Sequence, residues 1–423
     1  MKRHIIILIT LLCIEIQAQT VYVDLNNSYF RENPAPVTAQ KRDFFSNLAS
    51  SVRENTIERW FESEEFWSMS RKMVVKNPFS LWANAESNTT HKTLKMLTSS
   101  IVEEVPVSYN SVTPLGEIVT VSGKMFLPKH KSAKGIIIAS HYTIGGNSEA
   151  PSETFSFEGI FATKGYIVLM ADYLGYGISA QYPHPYLNAN NTAQVSVDLL
   201  KAALPYLQHR GFYPSTSNLI LLGYSQGGAA TIALERLIEQ SYPQYRVQQV
   251  FAGAGPYNPA ATYDYSVKEN TTQIPCAVPM LILGMSYSEQ LNLPIENYFL
   301  EPLYRNYQDW ILSKNYSLLQ INQYMSNSNI SDLLTPLALD KTASPTNLFY
   351  EALSHNDLTS FEPKVEVYFF HSKEDNMVPF INSQLMCDSL TMKNIPAKYI
   401  FGSFGGHMNA AIDFFKQIYS CYL

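Results

Sequence analysis

The 423-residue sequence predicts an α/β protein, a mostly parallel sheet with helices on both faces. Short, continuously apolar runs recur along the chain, as strands buried on both faces require. Segments with helical spacing stand between most of them, the alternation of a parallel sheet wrapped by helices. One interval breaks that rhythm. Between Pro256 and Pro363 the pattern is mainly helical and holds 10 of the 28 Tyr, as expected of an insertion layered over the strand ends.

The elements follow in order. Lys2 and Arg3 precede an apolar run over residues 5–14, and Ala18 follows it. A bilayer span needs about 20 residues, so this run is too short. Residues 1–18 therefore read as a secretory signal peptide cleaved after Ala18, which makes the chain secreted or periplasmic. The alternative is a buried first strand or helix. No later apolar stretch reaches spanning length. Cleavage leaves Cys276, Cys387 and Cys421, an odd number, of which the last two stand on expected helices and are candidates to pair.

Residues 19–40, with Pro34 and Pro36, read as a loose leader. Residues 41–100 read as helical, with apolar positions around Phe44, Phe45, Leu48 and Val52. Trp60, Trp67 and Trp82 in this segment either anchor a helical layer on the core or line a ligand site. From 101 onward strands are expected at 105–112, 117–127, 134–140, 167–172, 218–223, 247–254, 365–371 and 397–402. The first two form a hairpin around Pro114-Leu115-Gly116. Helices are expected at 191–208, 227–239, 380–391 and 408–422. The domain limits that follow are 1–18, 19–100, 101–255, 256–363 and 364–423.

Composition narrows the function classes. Only 16 % of residues are charged, 13 % are aromatic and the net charge is −6. Soluble domains average about 25 % charged. A disordered chain needs more charge and fewer aromatics, and a nucleic-acid binder a basic excess. Four Cys exclude a disulfide-stapled scaffold.

Chemistry is carried by Gly223-Tyr224-Ser225-Gln226-Gly227-Gly228, between an expected strand and an expected helix. This is G-x-S-x-G in the context it needs. A sharp strand-to-helix turn pushes the Ser hydroxyl out above the sheet. Glycines on either side let strand and helix pass closely, and the Gln226 N–H can stabilise an oxyanion beside the helix N-terminus. Ser225 is the candidate nucleophile. A Ser nucleophile needs a base, and that base an orienting acid. Asp375, in the loop after strand 365–371 and before Val378-Pro379, is the favoured acid, with Glu374 its competitor. His407, after Gly405-Gly406 and the last strand, is the candidate base. His91, His130, His209 and His355 read as surface residues and His371 as structural. His141 and His184 follow strands and are candidates to line the site, with Tyr142 and Tyr224. The loop after strand 134–140, His141-Tyr142-Thr143-Ile144-Gly145-Gly146, should supply the second oxyanion donor. The Thr143 N–H is favoured and Tyr142 comes next; the bland alternative is an ordinary glycine turn.

These residues resemble the α/β-hydrolase superfamily, and within it the secretory lipases first known from yeasts. The hairpin from Val107-Ser108-Tyr109-Asn110-Ser111 through Gly116 to Val121-Ser122-Gly123 is similar, as are Ala150-Pro151-Ser152. So are Ala171-Asp172-Tyr173-Leu174-Gly175-Tyr176-Gly177, His184-Pro185-Tyr186-Leu187 and the elbow at Gly223 to Gly228. The likeness spans residues 101–423 and implies an α/β-hydrolase fold whose 256–363 insertion is a helical lid. At Thr143 such lipases often carry an acidic residue.

The expected protein is an exported serine esterase or lipase acting on small-molecule, lipid or carbohydrate esters. Rival readings are a serine peptidase of the same fold and a non-catalytic binding protein on a hydrolase scaffold. The tyrosine-rich insertion points towards aryl or sugar esters, or simply packs. No H-E-x-x-H-like ligand cluster stands in the sequence, so neither metal nor other cofactor is expected, nor are nucleic acid or a membrane span.

Overall fold

The computed structural model describes residues 23–24, 59–76, 98, 101–326 and 328–423. The expected signal peptide, the leader prolines, the apolar positions at 44–52, Trp82 and His91 lie outside the described residues. The strands are β1 (Val23–Asp24), β2 (Val102–Val112), β3 (Ile118–Pro128), β4 (Ile136–Ser140), β5 (Ile167–Ala171), β6 (Leu219–Tyr224), β7 (Val247–Gly253), β8 (Val367–Ser372) and β9 (Ala397–Gly402). They form one sheet in the order β1-β2-β3-β5-β4-β6-β7-β8-β9. From β5 to β9 all neighbours are parallel. β2 and β3 form the antiparallel hairpin, and β3 pairs antiparallel with β5.

The leader expectation needs one correction. Val23 and Asp24 pair in parallel with Val107 and Ser108, so part of residues 19–40 is a strand at the sheet edge. Two residues are too few to show a period, which is why the sequence pattern hides them.

Every residue of β4, β5 and β6 is buried. Successive side chains of a strand point to opposite faces, and the core divides accordingly. Ile136, Ile138, Leu169 and Leu221 enter one cluster, and Ile137, Val168, Ile220 and Leu222 the other. The helices are α1 (Glu64–Lys76), α2 (Ala189–His209), α3 (Gln226–Ser241), α4 (Pro259–Glu269), α5 (Ala277–Ser288), α6 (Leu318–Met325), α7 (Thr346–His355), α8 (Ile381–Met392) and α9 (His407–Gln417), with shorter turns between. The first cluster holds residues of α2, α3 and α8. The second holds residues of α9, the 3-10 helix Phe157–Lys164 and α1.

Trp60 and Trp67 belong to that second layer. Trp67 is fully buried against Phe66, Phe157 and Tyr419, with ring centres 4.9, 6.1 and 6.2 Å away. Lys416 pairs with Glu64 and Arg71 with Asp413, joining α1 to α9. These two Trp are anchors on the core.

Helices α4 to α7 fill the interval between β7 and β8 and have a core of their own, including Cys276, Ile282, Met285, Tyr298, Ile321, Phe349 and Leu353. Tyr186 joins it from the main body. The insertion's tyrosines divide: Tyr263 and Tyr298 are buried, while Tyr265, Tyr304 and Tyr324 are exposed. Cys276, Cys387 and Cys421 are all free thiols, so the candidate pair Cys387–Cys421 is not formed. Among the described residues no helix is long and apolar enough to cross a membrane.

Candidate active site

The candidate residues gather at the carboxyl ends of β4, β6, β8 and β9, where sheets of this class bind ligands. Ser225 sits between the last residue of β6 and the first of α3, at φ 61 and ψ −128. A non-glycine residue there is strained by roughly 1–3 kcal/mol. The turn is held from below: the Ser225 N–H donates to Gly253 O (2.9 Å) and the Gly228 N–H to Ser225 O (2.8 Å). A Cβ on Gly223 would stand 2.2 Å from Gly227 O, and one on Gly227 2.1 Å from Ser140 O. Both glycines are thus demanded by close backbone approach.

His407, the first residue of α9, has Nδ1 2.6 Å from Asp375 Oδ2. Its ring centre is 4.9 Å from that of Tyr224, the neighbour of Ser225. The Tyr224 hydroxyl donates to His407 O (2.9 Å). Asp375 is fully enclosed, and its other oxygen accepts the N–H groups of Met377 and Val378, both at 2.9 Å. Burial alone would raise this carboxyl. The neighbouring His407 and His371 outweigh it and hold Asp375 well below the usual carboxylate range. Glu374, the competing acid, is exposed.

Sequence reasoning missed several supports. His371, expected to be structural, lies 3.2 Å by Nε2 from Asp375 Oδ2 and 2.7 Å by Nδ1 from Ser383 Oγ, a link to the acid that the sequence pattern does not show. The Ser372 hydroxyl donates to Gly405 O (2.6 Å) and accepts the N–H groups of Glu374 and Phe404, each at 3.2 Å. One small side chain thereby joins the acid loop to the histidine loop. The Asn376 side chain accepts the His407 N–H (3.2 Å). The available signal was position, at the end of a buried strand for His371 and Ser372 and in the loop after it for Asn376.

On the other side stands the loop after β4. Thr143 is buried, with Oγ1 2.8 Å from the Tyr186 hydroxyl. Both nitrogens of His141 face backbone carbonyls, Tyr142 O at 2.6 Å and Asp172 O at 3.1 Å, and its ring stacks on Tyr173. Burial pulls its pKa down to about 4. His184 Nδ1 is 2.8 Å from Leu174 O, and its Nε2 is 3.1 Å from Gln226 Nε2. Burial, then the nearby Lys314, keeps His184 well below its ordinary value, hence neutral. A neutral ring protonated on Nδ1 donates to Leu174 and accepts from the Gln226 amide. His130, His209 and His355 are exposed. Ser225, Gln226, Tyr142, Thr143 and His407 are all buried. Among the described residues no three His, Cys, Asp or Glu side chains gather to hold a metal ion.

Solved structures share this arrangement of elements. The rice cell wall degrading esterase LipA from Xanthomonas oryzae is 22 % identical, covering 78 % of this chain and 92 % of its own, with a TM-score of 0.67. Candida antarctica lipase A is 17 % identical, covering 72 % of this chain and 73 % of its own, with a TM-score of 0.56. This is the α/β-hydrolase fold. No protein-family model matches the sequence, and no curated protein matches it. The resemblance read from the Ser225 elbow and the opening hairpin therefore stands at the level of the fold.

Proposed function

We propose that the chain is an exported serine hydrolase that cleaves carboxylic esters. The observation that carries this reading is the 2.6 Å contact between His407 and an enclosed Asp375, beside a Ser held at positive φ on a strand-to-helix turn. In this reading Ser225 Oγ attacks the ester carbonyl while His407 Nε2 takes its proton. Asp375 keeps the other ring proton on Nδ1 and stabilises the imidazolium. The N–H groups of Gln226 and Thr143 hold the oxyanion. His407 then protonates the leaving alcohol, and water releases the acid from Ser225. The reaction so written needs no metal or organic cofactor. Residues 256–363 serve as the cap over the site, with 101–255 and 364–423 as its base. An esterase and a lipase among proteins of the same fold favour esters over amides as substrates. The exported chain begins at Gln19, which the mass of the secreted or periplasmic protein checks.

A fluorophosphonate probe tests the central claim. The wild-type protein is labelled and hydrolyses p-nitrophenyl acetate and butyrate; Ser225→Ala does neither. Absence of labelling at Ser225 in the wild type would sink the reading. Turnover of aminoacyl p-nitroanilides without ester turnover would replace it with the peptidase of the same fold.

A further inference from the structure

Glu149 is a buried carboxylate between the loop after β4 and the helical insertion. Its Oε2 accepts three backbone N–H groups: Gly145 at 2.8 Å, Gly146 at 3.3 Å and Leu318 at 2.8 Å. The first two belong to the loop that carries Thr143. Leu318 opens α6, where N–H groups have no partner within the helix. A single side-chain oxygen, 169 residues from Leu318 in sequence, thus ties the candidate oxyanion loop to the insertion.

The same seam is tight elsewhere. The Asn147 N–H donates to Lys314 O (2.9 Å). A Cβ on Gly146 would stand 2.5 Å from Tyr316 O, and one on Gly145 2.6 Å from Leu318 N. Gly145-Gly146 is therefore no ordinary turn; the pair admits the insertion's backbone. The Tyr176 hydroxyl donates to Ile144 O (2.6 Å), and Lys314 Nζ stands 5.0 Å from the Tyr176 ring centre.

We propose that Glu149 is a positioning residue through which the docked insertion holds the Thr143 loop in its oxyanion-binding shape. This rests on the ester-hydrolase reading above. Three converging donors in a buried place need an acceptor, and losing it leaves all three unpaired. Nothing local to the loop replaces that acceptor. Undocking of the insertion at Leu318 would therefore loosen the loop, so closure of the cap and readiness of the oxyanion site become one event. The titratable groups around the carboxyl are Tyr142, Tyr176 and Cys276, with Lys314 across the seam. Burial pushes Glu149 up to about 7 against the pull of its three N–H bonds.

The test uses the full-length protein with Glu149→Asp, Glu149→Gln and Glu149→Ala. Reactive Ser225 is counted by fluorophosphonate titration, and p-nitrophenyl acetate hydrolysis is expressed per reactive site. Asp is one methylene too short to reach the three donors, whereas Gln keeps an oxygen at that length. The expected result is a loss of about 10- to 100-fold in kcat for Asp and Ala with KM nearly unchanged, and near wild-type kcat for Gln. Amide hydrogen exchange at Gly145, Gly146 and Leu318 should accelerate together in Glu149→Asp. Unchanged kcat per reactive site in Asp, or equal losses in Asp and Gln, would overturn the proposal. If Ala does not fold, Asp and Gln still decide. If the wild type itself is not labelled, the hydrolase reading fails, and the exchange experiment alone judges the link. Separate acceleration of the loop and of Leu318 would then overturn it.

Discussion

The two flanks of Ser225 are built in different ways. The Asp375–His407 flank is held from within the sheet. Its loops leave adjacent parallel strands, β8 and β9, paired from Val367–Ala397 to Ser372–Gly402. Ser372, the last residue of that ladder, ties both loops. The Thr143 flank leans on groups far away in sequence, Tyr186 and the backbone of residues 314–318, the latter joined to it through nearby Glu149. The β8–β9 pair therefore positions Asp375 and His407, while the loop bearing Thr143 packs against a separately cored layer. Disturbing the insertion should change transition-state stabilisation while the Asp–His pair stays in place.

The largest effect belongs to the sheet-held flank. Asp375→Asn should lower kcat/KM by roughly 10⁴-fold, because the His407 tautomer is no longer held. Steady-state kinetics on p-nitrophenyl acetate check this, and a loss under tenfold would remove Asp375 from the site.

The next effect probes the insertion-held flank through pH. Glu149 keeps its proton up to about 7 in the folded chain, against 4.5 for a free glutamate. Between those values the folded state binds more protons than the unfolded one. The stability tied to the protonated form is present below about pH 4.5 and is lost as pH rises through 7. The difference amounts to about 3 kcal/mol at most. Between pH 5 and 8 the Tm of Glu149→Gln should therefore fall less than that of the wild type. Parallel Tm curves would show that Glu149 does not titrate in this range.

Gly146→Ala separates the flanks more finely. Its Cβ would meet the insertion's backbone at 2.5 and 2.9 Å, from Tyr316 O and Lys314 O. Overpacking of this kind costs roughly 1–3 kcal/mol. Urea unfolding should show that loss, and kcat should drop while its pH dependence stays put. A shift of that pH dependence would mean that the flanks are not independent.

The smallest effect is that of Ser372→Ala. It removes one hydrogen bond to Gly405 O and the acceptor for two N–H groups, worth about 1–3 kcal/mol in stability. Here kcat should fall roughly tenfold without any change in hydrogen exchange at Gly145 and Gly146. Faster exchange at those glycines would contradict the division between flanks.

The two flanks also differed in how far they could be read in advance. The strands from β2 to β9 were expected within a few residues of where they lie, because burial on both faces writes a local apolar run. The elbow was legible as a fixed pattern on one tight turn, which Gly223 and Ser225 build locally, whereas Gly227 also makes room for the Ser140 carbonyl of the neighbouring strand. Asp375 and His407 were placed by their positions after late strands. The choice between Asp375 and Glu374 needed the fold, since only tertiary contact shows which carboxyl is enclosed beside His407. His371 and Ser372 gained their roles because parallel pairing sets the end of β8 beside the loop after β9.

The sequence by itself determined the α/β alternation, the helical interval before β8 and the strand-to-helix turn at Ser225, all carried by short-range periodicity and turn chemistry. Only the tertiary structure decided why Gly145 and Gly146 are glycines, what Glu149 holds and that Val23–Asp24 is a strand. Each of these depends on partners that no local period encodes, because they come together only when the insertion and the sheet edge are in place.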